Sequence, residues 1–407
     1  MAASSLDRKA LMRAWARTQG FTSAAPTDPT TILTERSWVR TLGGADPYFA
    51  LFARGAEVER EAIDAALRAG EMRISPAVRG CMYLVAAEHA DLALGLAYHQ
   101  THARLARDLD KAGAAKKDLT KTRKAVLKAL AKAPSTTAEL RKVAAKAIVS
   151  FGASGKKVGL SSSLPPTLRL LEFEGEIERT PIEGRLDTET YRWSLRERPL
   201  ERPDSEDAAL AIAELFFRHH GPATLDHFVT WSGLGKRAAR AAIAELELVE
   251  IEGEDHDQAH PMLAFPAALE AASKRSRAKP VTLLGLQDTY LVVHGGPSWV
   301  CPAAHLDLAI PRWGTMGGGA IRATKHPHLR AILVAGELAG FWDVDAAMSE
   351  QHIAWLDRPS KAVVKRATEA VDTLRRFMAD ELGHAKTFSI DSNKRIDARF
   401  EIVRGLA

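Results

Sequence analysis

Cysteine is almost absent from this 407-residue chain, in which Cys81 and Cys301 are the only two. Two cysteines cannot supply a disulfide framework or a zinc ribbon, so the sequence favours a reducing environment. Apolar residues never form a run long enough to cross a bilayer, and residues 1–20 lack the apolar centre of a signal peptide. We therefore expect a cytoplasmic protein with no membrane partner.

Signatures of cofactor binding and of nucleophilic catalysis are also missing. The glycine-rich segment GTMGGGAIRATK (314–325) lacks the order of glycine, lysine and hydroxyl residue that defines a phosphate-binding loop. The histidines do not show the spacing of metal ligands, and no Ser/His/Asp or Cys/His pattern stands out. We expect neither a cofactor nor a metal ion.

Positive charge is abundant and unevenly distributed. The whole chain carries a net charge of +5, but residues 104–157 contain 15 Lys or Arg against four Asp or Glu. That block therefore has a net charge of +11, and the rest of the chain has −6. A basic block on an otherwise acidic protein indicates a surface for a polyanion, although a solvated Lys/Ala-rich helix gives the same pattern.

A pattern of three helices followed by a strand ribbon occurs three times along the chain. Each copy is typical of a winged helix-turn-helix module, and RPLERPDS (198–205) reads as a linker between the second and third copies. We predict an α+β protein of tandem winged helix-turn-helix domains with a C-terminal α+β domain. The predicted boundaries are 1–110 for the first winged helix with a connecting helix, 111–200 for the second, 201–265 for the third, and 266–407 for the C-terminal domain.

Local signals predict several individual elements. The run ILTERSWVRTL (32–42) has a helical apolar face, and Asp46 before Pro47 predicts an N-cap followed by the first residue of a helix. In the last domain, residues 279–295 are rich in strand-forming residues, and the alternation in FSIDSNKRIDARFEIV (388–403) predicts short strands.

Two helices present clustered cations. In the second copy, the helix at 120–132 carries Lys121, Lys124, Lys128 and Lys132 on one narrow arc opposite its apolar face. In the third copy, three cations lie at the start of the second helix of the helix-turn-helix. In such motifs, the N-terminal part of this helix enters the major groove. The three cations are Lys236, Arg237 and Arg240. Phosphate contact and plain surface charge are the two interpretations of both clusters.

Five segments resemble the bacterial winged-helix proteins that include the AlkZ-type DNA glycosylases. The segments are LGGADPYFALFARG (42–55), VRGCMYLVAAEH (78–89), GPATLDHFVTWSGLGKRAARAAIAELELVE (221–250), LLGLQDTYLV (283–292) and ILVAGELAGFWD (332–343). The resemblance covers most of the chain. It implies tandem winged helices around a DNA channel and, for the glycosylases, excision of alkylated or bulky bases or unhooking of crosslinks.

The resemblance also implies where catalytic side chains would be. In the glycosylases, two glutamines separated by one residue, or a glutamine and an aspartate, precede the helix that begins Asp-Pro. Gly43 and Ala45 occupy the matching positions, and Tyr83 stands where a histidine is expected. Excision needs a side chain that holds water and stabilises positive charge on the sugar, so Asp46 is the nearest candidate left.

Two hypotheses follow from the sequence. The first is a protein that binds duplex DNA, intact or damaged, as a monomer and without catalysis. The second is a divergent glycosylase that uses Asp46 or another carboxylate, and a transcriptional regulator is a third, less favoured interpretation. The expected DNA contacts are Lys121, Lys124, Lys128, Lys236, Arg237 and Arg240, with Arg54 and Arg79 beside the channel.

Overall fold

The computed structural model describes residues 4–21, 27–253, 261–273, 281–314 and 317–406. The chain starts with the short strand β1 (Ser4–Leu6) and helix α1 (Arg8–Thr18), which is capped by the Asp7 side chain. Three units with the same order of helices and strands follow, and a mixed sheet with helices completes the fold.

The first unit contains α2 (Pro29–Glu35), β2 (Val39–Arg40), α3 (Asp46–Ala53), α4 (Arg60–Ala69), β3 (Met72–Pro76) and β4 (Met82–Ala86). Its antiparallel sheet has the order β2-β4-β3, so the first strand pairs with the last. Gly70 ends α4 in the left-handed conformation, as a helix stop of this kind requires. This order of elements is that of a winged helix, with residues 77–81 as the wing.

The second unit follows the 22-residue helix α5 (Ala90–Lys111) and repeats the same order. It contains α6 (Lys116–Leu130), β5 (Ser135–Thr136), α7 (Thr137–Val143), α8 (Gly152–Lys157), α9 (Leu164–Phe173), β6 (Ile177–Pro181) and β7 (Tyr191–Leu195). Its sheet order, β5-β7-β6, matches that of the first unit, and α8 is an insertion. Both wings place one residue other than glycine at positive φ, Arg79 in the first and Glu183 in the second.

The third unit contains α10 (Ser205–His220), α11 (Leu225–Ser232), α12 (Lys236–Ala244), β8 (Val249–Gly253) and β9 (Met262–Ala264). An isolated bridge between Ala223 and Leu263 takes the place of the first strand. Strand β1 adds to the outer side of β8 in parallel, so the N-terminus of the chain completes this sheet.

The C-terminal part contains α13 (Pro266–Ser273), β10 (Thr282–Leu284), α14 (Thr289–Val292), β11 (Ala309–Pro311), β12 (Gly318–Ala320), β13 (Arg330–Val334), β14 (Glu337–Val344), β15 (Gln351–Trp355), α15 (Lys361–Arg376) and α16 (Asn393–Gly405). An antiparallel sheet of order β10-β13-β14-β15 forms its centre, and β11 pairs separately with β12. A π-helical turn, Phe377–Leu382, continues α15.

Hydrophobic clusters run across the predicted domain boundaries. One cluster joins Tyr48 and Phe49 of the first unit to Trp342 and Phe377 of the C-terminal part. A second joins α1 to the third unit and the C-terminal sheet, whereas the second unit has a core of its own around Val126. The four-domain division remains a prediction, but apolar clusters connect all four segments, since Leu186 of the second unit belongs to the first cluster and Phe151 packs with Leu105.

Four local predictions differ from the structure. Residues 32–42 are not one helix, because α2 begins after an Asp28 cap and the chain is extended again in β2. Ala45, not Asp46, is the N-cap of α3. Part of 279–295 forms α14, and α16 replaces the strands expected at 388–403. In α16 the buried residues Ile396, Phe400 and Val403 follow helical spacing.

Candidate functional site

A cleft lies beside the turn that leads into α3. Its walls come from β2, the Gly43-Gly44 turn, the start of α3 and three C-terminal loops, and the space is about 320 Å³ with solvent at its mouth included. The lining residues are Arg40, Leu42, Gly43, Asp46, Pro47, Leu286, Gln287, Trp313, Thr387 and Phe388. The cleft therefore contains the positions to which the sequence resemblance drew attention.

The Gly43-Gly44 turn is covered by backbone from two other parts of the chain. The Gly44 N–H donates to the Asp187 carbonyl in the second wing, over 2.8 Å, and the Ala45 N–H donates to the Lys386 carbonyl over the same distance. The Ser389 N–H in turn donates to the Leu42 carbonyl at 2.9 Å. Three backbone hydrogen bonds thus hold the second wing and the loop 384–392 against the turn.

Glycine is required at both positions of this turn. Gly43 and Gly44 have φ of +70° and +73°, and a Cβ on Gly43 would lie 2.9 Å from the Asp187 carbonyl oxygen. A Cβ on Gly44 would lie 2.4 Å from the Thr387 carbonyl carbon. The left-handed backbone and the close approach both exclude a side chain, so no larger residue fits here without a shift of the surrounding backbone.

The Asp187 side chain secures the second wing over the turn. Its carboxylate accepts hydrogen bonds from Arg185 and from His384 Nε2, the latter over 3.0 Å. Burial disfavours the charged carboxylate, but the hydrogen bonds from His384 and Arg185 outweigh this and hold the pKa of Asp187 below its ordinary value. The ion pairs of Asp187 with Arg185 and His384 therefore hold the second wing in an ordered position over the Gly43-Gly44 turn.

Asp46 is fully engaged by neighbouring groups. Its Oδ2 accepts the Leu286 N–H at 2.6 Å, and its Oδ1 accepts Nε and Nη2 of Arg330 at 3.1 and 2.9 Å. Burial raises the pKa of Asp46, and the charges of Arg330 and Arg399 offset part of that effect. Asp46 does not cap α3, because its carboxylate bonds to residues about 240 and 284 positions away in the sequence.

The Arg330 pair is one end of a buried chain of charges. Arg330 also bonds to Asp343 at 3.0 Å, Asp343 bonds to Arg399, and Arg399 reaches Asp391 at 3.4 Å. Arg330, Asp343 and Arg399 have no exposed surface. Because breaking a buried ion pair leaves an uncompensated charge, we infer that this chain of charges fixes Asp46 in place.

Aromatic and cationic groups form the outer wall of the cleft. The Trp313 ring lies 5.2 Å from the Phe388 ring and 5.3 Å from the His328 ring. The Arg40 guanidinium carbon is 5.9 Å from the Trp313 ring centroid, and Arg40 Nη1 reaches Gln287 Oε1 at 3.5 Å. Sequence reasoning did not select Arg40 or Trp313, because neither is part of a local motif.

Arg54 does not lie at the surface. It is 1% exposed and forms a bidentate ion pair with Asp288, both at 2.8 Å, while Gln19 and the Ala50 carbonyl accept its other hydrogen bonds. This burial contradicts the expectation that Arg54 contacts DNA, since all three of its nitrogens already have acceptors. Arg54 instead links α3 to the start of α14.

Arg79 is exposed at the tip of the first wing, as a surface role requires. Its backbone N–H donates to the Gln100 side chain, and its φ is 59°. The Arg79 Cγ is 2.6 Å from the position that a Cβ on Gly233 would take, so Arg79 packs on the turn before α12. Tyr83, where the resemblance leads us to expect a histidine, is 2% exposed, and its burial raises its pKa while the charge of Arg79 opposes that rise.

The two predicted basic helices both expose their cations. On α6 the side chains of Lys121, Lys124 and Lys128 are exposed while Val126 and Leu130 are buried. On α12 the exposed cations are Lys236, Arg237 and Arg240, and Ala239 and Ala242 are buried. Lys236 pairs with Asp226 at 3.0 Å, an exposed contact of the kind that contributes little.

The corresponding helices of the first two units are covered. In α4, the Arg60 N–H donates to Glu381 at 2.7 Å, and the buried Asp64 accepts the Leu186 N–H at 3.2 Å. In α9, Phe173 is buried against α5, where its ring is 6.1 Å from that of Tyr98. Of these three helices, α12 is the one that carries a group of three exposed cations in its first turns, namely Lys236, Arg237 and Arg240.

Two negative findings concern the described part of the chain. Within it, no three His, Cys, Asp or Glu side chains are grouped so that they could share a metal ion. Within the same residues, every helix is too short or too polar to cross a membrane.

The three repeated units and the C-terminal sheet define an α+β protein. The model of the AlkZ-like DNA glycosylase family matches residues 41–379, so the chain belongs to that family. Among solved structures it is similar to the DNA glycosylase AlkZ of Streptomyces sahachiroi, with a TM-score of 0.65 and 17% identity. That match covers 94% of this chain and 98% of the other, and it establishes a shared fold. No curated protein sequence matches the chain.

Proposed function

We propose that this protein binds duplex DNA and does not excise bases by the glutamine-dependent route of its catalytic relatives. The observation that carries this proposal is the filled space at the Gly43-Gly44 turn. Carbonyl and backbone atoms of Asp187 and Thr387 stand where a side chain would begin. Family membership supports DNA as the partner, and a damaged duplex is part of the proposal.

The chemistry of excision explains why this space matters. Cleavage of the bond between base and deoxyribose creates positive charge on the sugar, and a water molecule must be held for attack. Gly43 and Ala45 offer no side-chain acceptor for that water, and Ala45 has no exposed surface. Asp46 has acceptor oxygens, but one binds Arg330 and the other the Leu286 N–H.

The proposed DNA surface combines the cations of α12 and α6 with Arg79. The set is Lys121, Lys124, Lys128, Lys236, Arg237, Arg240 and Arg79. Their exposure suits contacts with phosphates rather than packing in a core. Since α12 carries exposed cations in its first turns, we assign it the role of the helix that enters the major groove. A single chain offers several such modules, so we propose that it acts as a monomer.

Binding to a fluorescently labelled 20-base-pair duplex at increasing salt tests this surface. Each neutralised phosphate contributes roughly −0.9 to the slope of log Kobs against log[salt], so the seven cations predict a slope of about −6. Replacing Lys236, Arg237 and Arg240 by Gln reduces the steepness by about 2.7. Lys365→Gln on α15, an exposed lysine near Glu369, is the matched control and leaves the slope unchanged. A wild-type affinity insensitive to salt contradicts the proposal.

A second candidate function is excision by a rearranged site. Asp46 favours it, because the carboxylate lines the cleft and burial raises its pKa, as expected for a proton-transferring acid or base. Incubation of the protein with alkylated or crosslinked DNA, followed by alkaline cleavage at abasic sites, tests this activity. Cleavage that Asp46→Asn abolishes while duplex binding persists establishes the second function. Binding without cleavage over a range of lesions rejects it.

A further inference from the structure

Three cations converge on one histidine at the rim of the cleft. His326 lies beside Lys325 in the chain, and burial together with the charges of Arg79, Arg40 and Lys325 lowers its pKa. Within the described residues, no carboxylate is among the groups that act on this imidazole. A group of like charges without an acidic counter-ion is unusual in a folded protein, because each cation disfavours the others.

Backbone contacts and packing hold these residues in place. Arg40 in β2 is paired with Tyr83 in β4, and the charges of Arg79 and Arg40 both oppose the rise that burial causes in the pKa of Tyr83. Side chains of directly paired residues in an antiparallel sheet lie on the same face, so Arg40 lies beside Tyr83 and near the wing that carries Arg79.

The third cation is fixed by contacts of the neighbouring loop. The Trp313 N–H donates to the His326 carbonyl at 2.9 Å, and Gln287 Nε2 donates to the Pro327 carbonyl at the same distance. Gln287 also accepts from Arg40, so the loop that carries Lys325 and His326 is connected to β2. The three cations come from three separate segments that meet at this place.

Polar atoms at this place have no hydrogen-bond partner within the described structure. Arg40 Nε and His326 Nδ1 are both inaccessible to solvent and unpartnered. A buried donor or acceptor without a partner is costly and uncommon, and a binding site is one place where it is found. An oxyanion ligand would give Arg40 an acceptor and would neutralise the accumulated charge.

We propose that Arg40, Arg79 and Lys325 form a phosphodiester-binding site around His326, at the mouth of the cleft. The assignment rests on the proposed binding of duplex DNA. The same strand would pass from this site to α12, because Arg79 packs on Gly233 in the turn that precedes Lys236. The nucleotide attached to the bound phosphate would then lie next to Trp313, whose ring lines the cleft.

Salt-dependent binding of the 20-base-pair duplex provides the test. The variant Arg79→Gln/Lys325→Gln removes the two exposed cations and leaves the half-buried Arg40 in place. Its slope of log Kobs against log[salt] is expected to be less steep than that of the wild type by about 1.8. If the two proteins bind equally at 1 M salt, the variant binds about 60-fold more weakly at 0.1 M. The charge-preserving variant Arg79→Lys/Lys325→Arg keeps the slope, and Lys365→Gln serves as the control.

A second readout comes from the imidazole itself. A bound phosphate favours the charged form, so the pKa of His326 measured by NMR is expected to rise in the complex with DNA. Unchanged salt dependence in the Gln variant, or an unchanged His326 pKa, overturns this site while wild-type binding to DNA stands. Absence of wild-type binding overturns the proposed function and this site together.

Discussion

Substitution of Gly44 by alanine tests the covering of the turn most sharply. The change adds one methyl group at φ +73°, where that methyl would lie 2.4 Å from a backbone carbon of Thr387. Two penalties therefore combine. A left-handed backbone costs an alanine roughly 1–2 kcal/mol, and inserting a methyl into filled space costs typically about 1–3 kcal/mol more.

Gly113→Ala is the matched control for the backbone penalty alone. Gly113 has φ +75°, but no atom lies within 4 Å of the position of its Cβ. We expect this variant to lose roughly 1–2 kcal/mol of unfolding free energy and Gly44→Ala to lose about 2–5 kcal/mol. The difference between them measures the steric contact, because the two backbone angles are nearly equal.

Equilibrium unfolding in urea, followed by tryptophan fluorescence, compares the two variants with the wild type. Destabilisation should appear as a lower midpoint with an unchanged dependence on urea. Equal losses in Gly44→Ala and Gly113→Ala would refute the reasoning, since they would mean that the second wing and the loop 384–392 do not press on the turn.

Three further predictions concern charge. Arg54→Ala leaves Asp288 buried without a partner and should cost about 3–5 kcal/mol in urea unfolding, whereas a loss below 1 kcal/mol would contradict the buried pair. Burial lowers the pKa of His219 to about 4 and of His294 to about 3. In the unfolded chain the histidine pKa is about 6.5, so the stability that these two neutral histidines contribute is fully present above pH 6.5 and is lost as the pH falls. At pH 5 the free energy of unfolding should be lower by about 2 kcal/mol per histidine, and equal urea midpoints at pH 8 and pH 5 would contradict this prediction. Asp187→Asn weakens the attachment of the second wing, so amide exchange at Gly44 should accelerate, while an unchanged rate would show that the carboxylate does not secure the wing.

Local sequence signals were sufficient for the repeated α+β architecture. The cation clusters predicted on α6 and α12 lie on exposed helix faces. These features depend on residues within one or two helical turns of each other. The exposed positions remain predictions as DNA contacts, because exposure is necessary for such a contact but does not establish it.

Long-range pairing explains what the sequence could not reveal about the site. Asp46 before Pro47 has the local pattern of an N-cap, yet Asp46 pairs with Arg330 at a separation of 284 residues. Arg54 has the pattern of a surface cation at a helix end, yet its partner Asp288 is 234 residues away. No local rule identifies a partner at that distance, so both roles require the tertiary structure.

Alternating apolar residues misled the prediction for α16. Ile396, Phe400 and Ile402 occupy every second or fourth position, which suits a strand, but the buried set of Ile396, Phe400 and Val403 suits a helix. Arg399 also lies on the buried face of α16, where it forms an ion pair with Asp343. A prediction from the spacing of apolar residues alone does not include this buried arginine. A buried charge thus replaced an apolar residue on the packing face.

We propose that the protein binds duplex DNA without excising bases. One experiment measures both properties on the same labelled duplex, which carries an alkylated base or an interstrand crosslink. Anisotropy reports binding, and gel analysis after alkaline treatment reports abasic sites. We expect salt-dependent binding and no strand cleavage above the protein-free background. Cleavage that increases with protein concentration and time would contradict it.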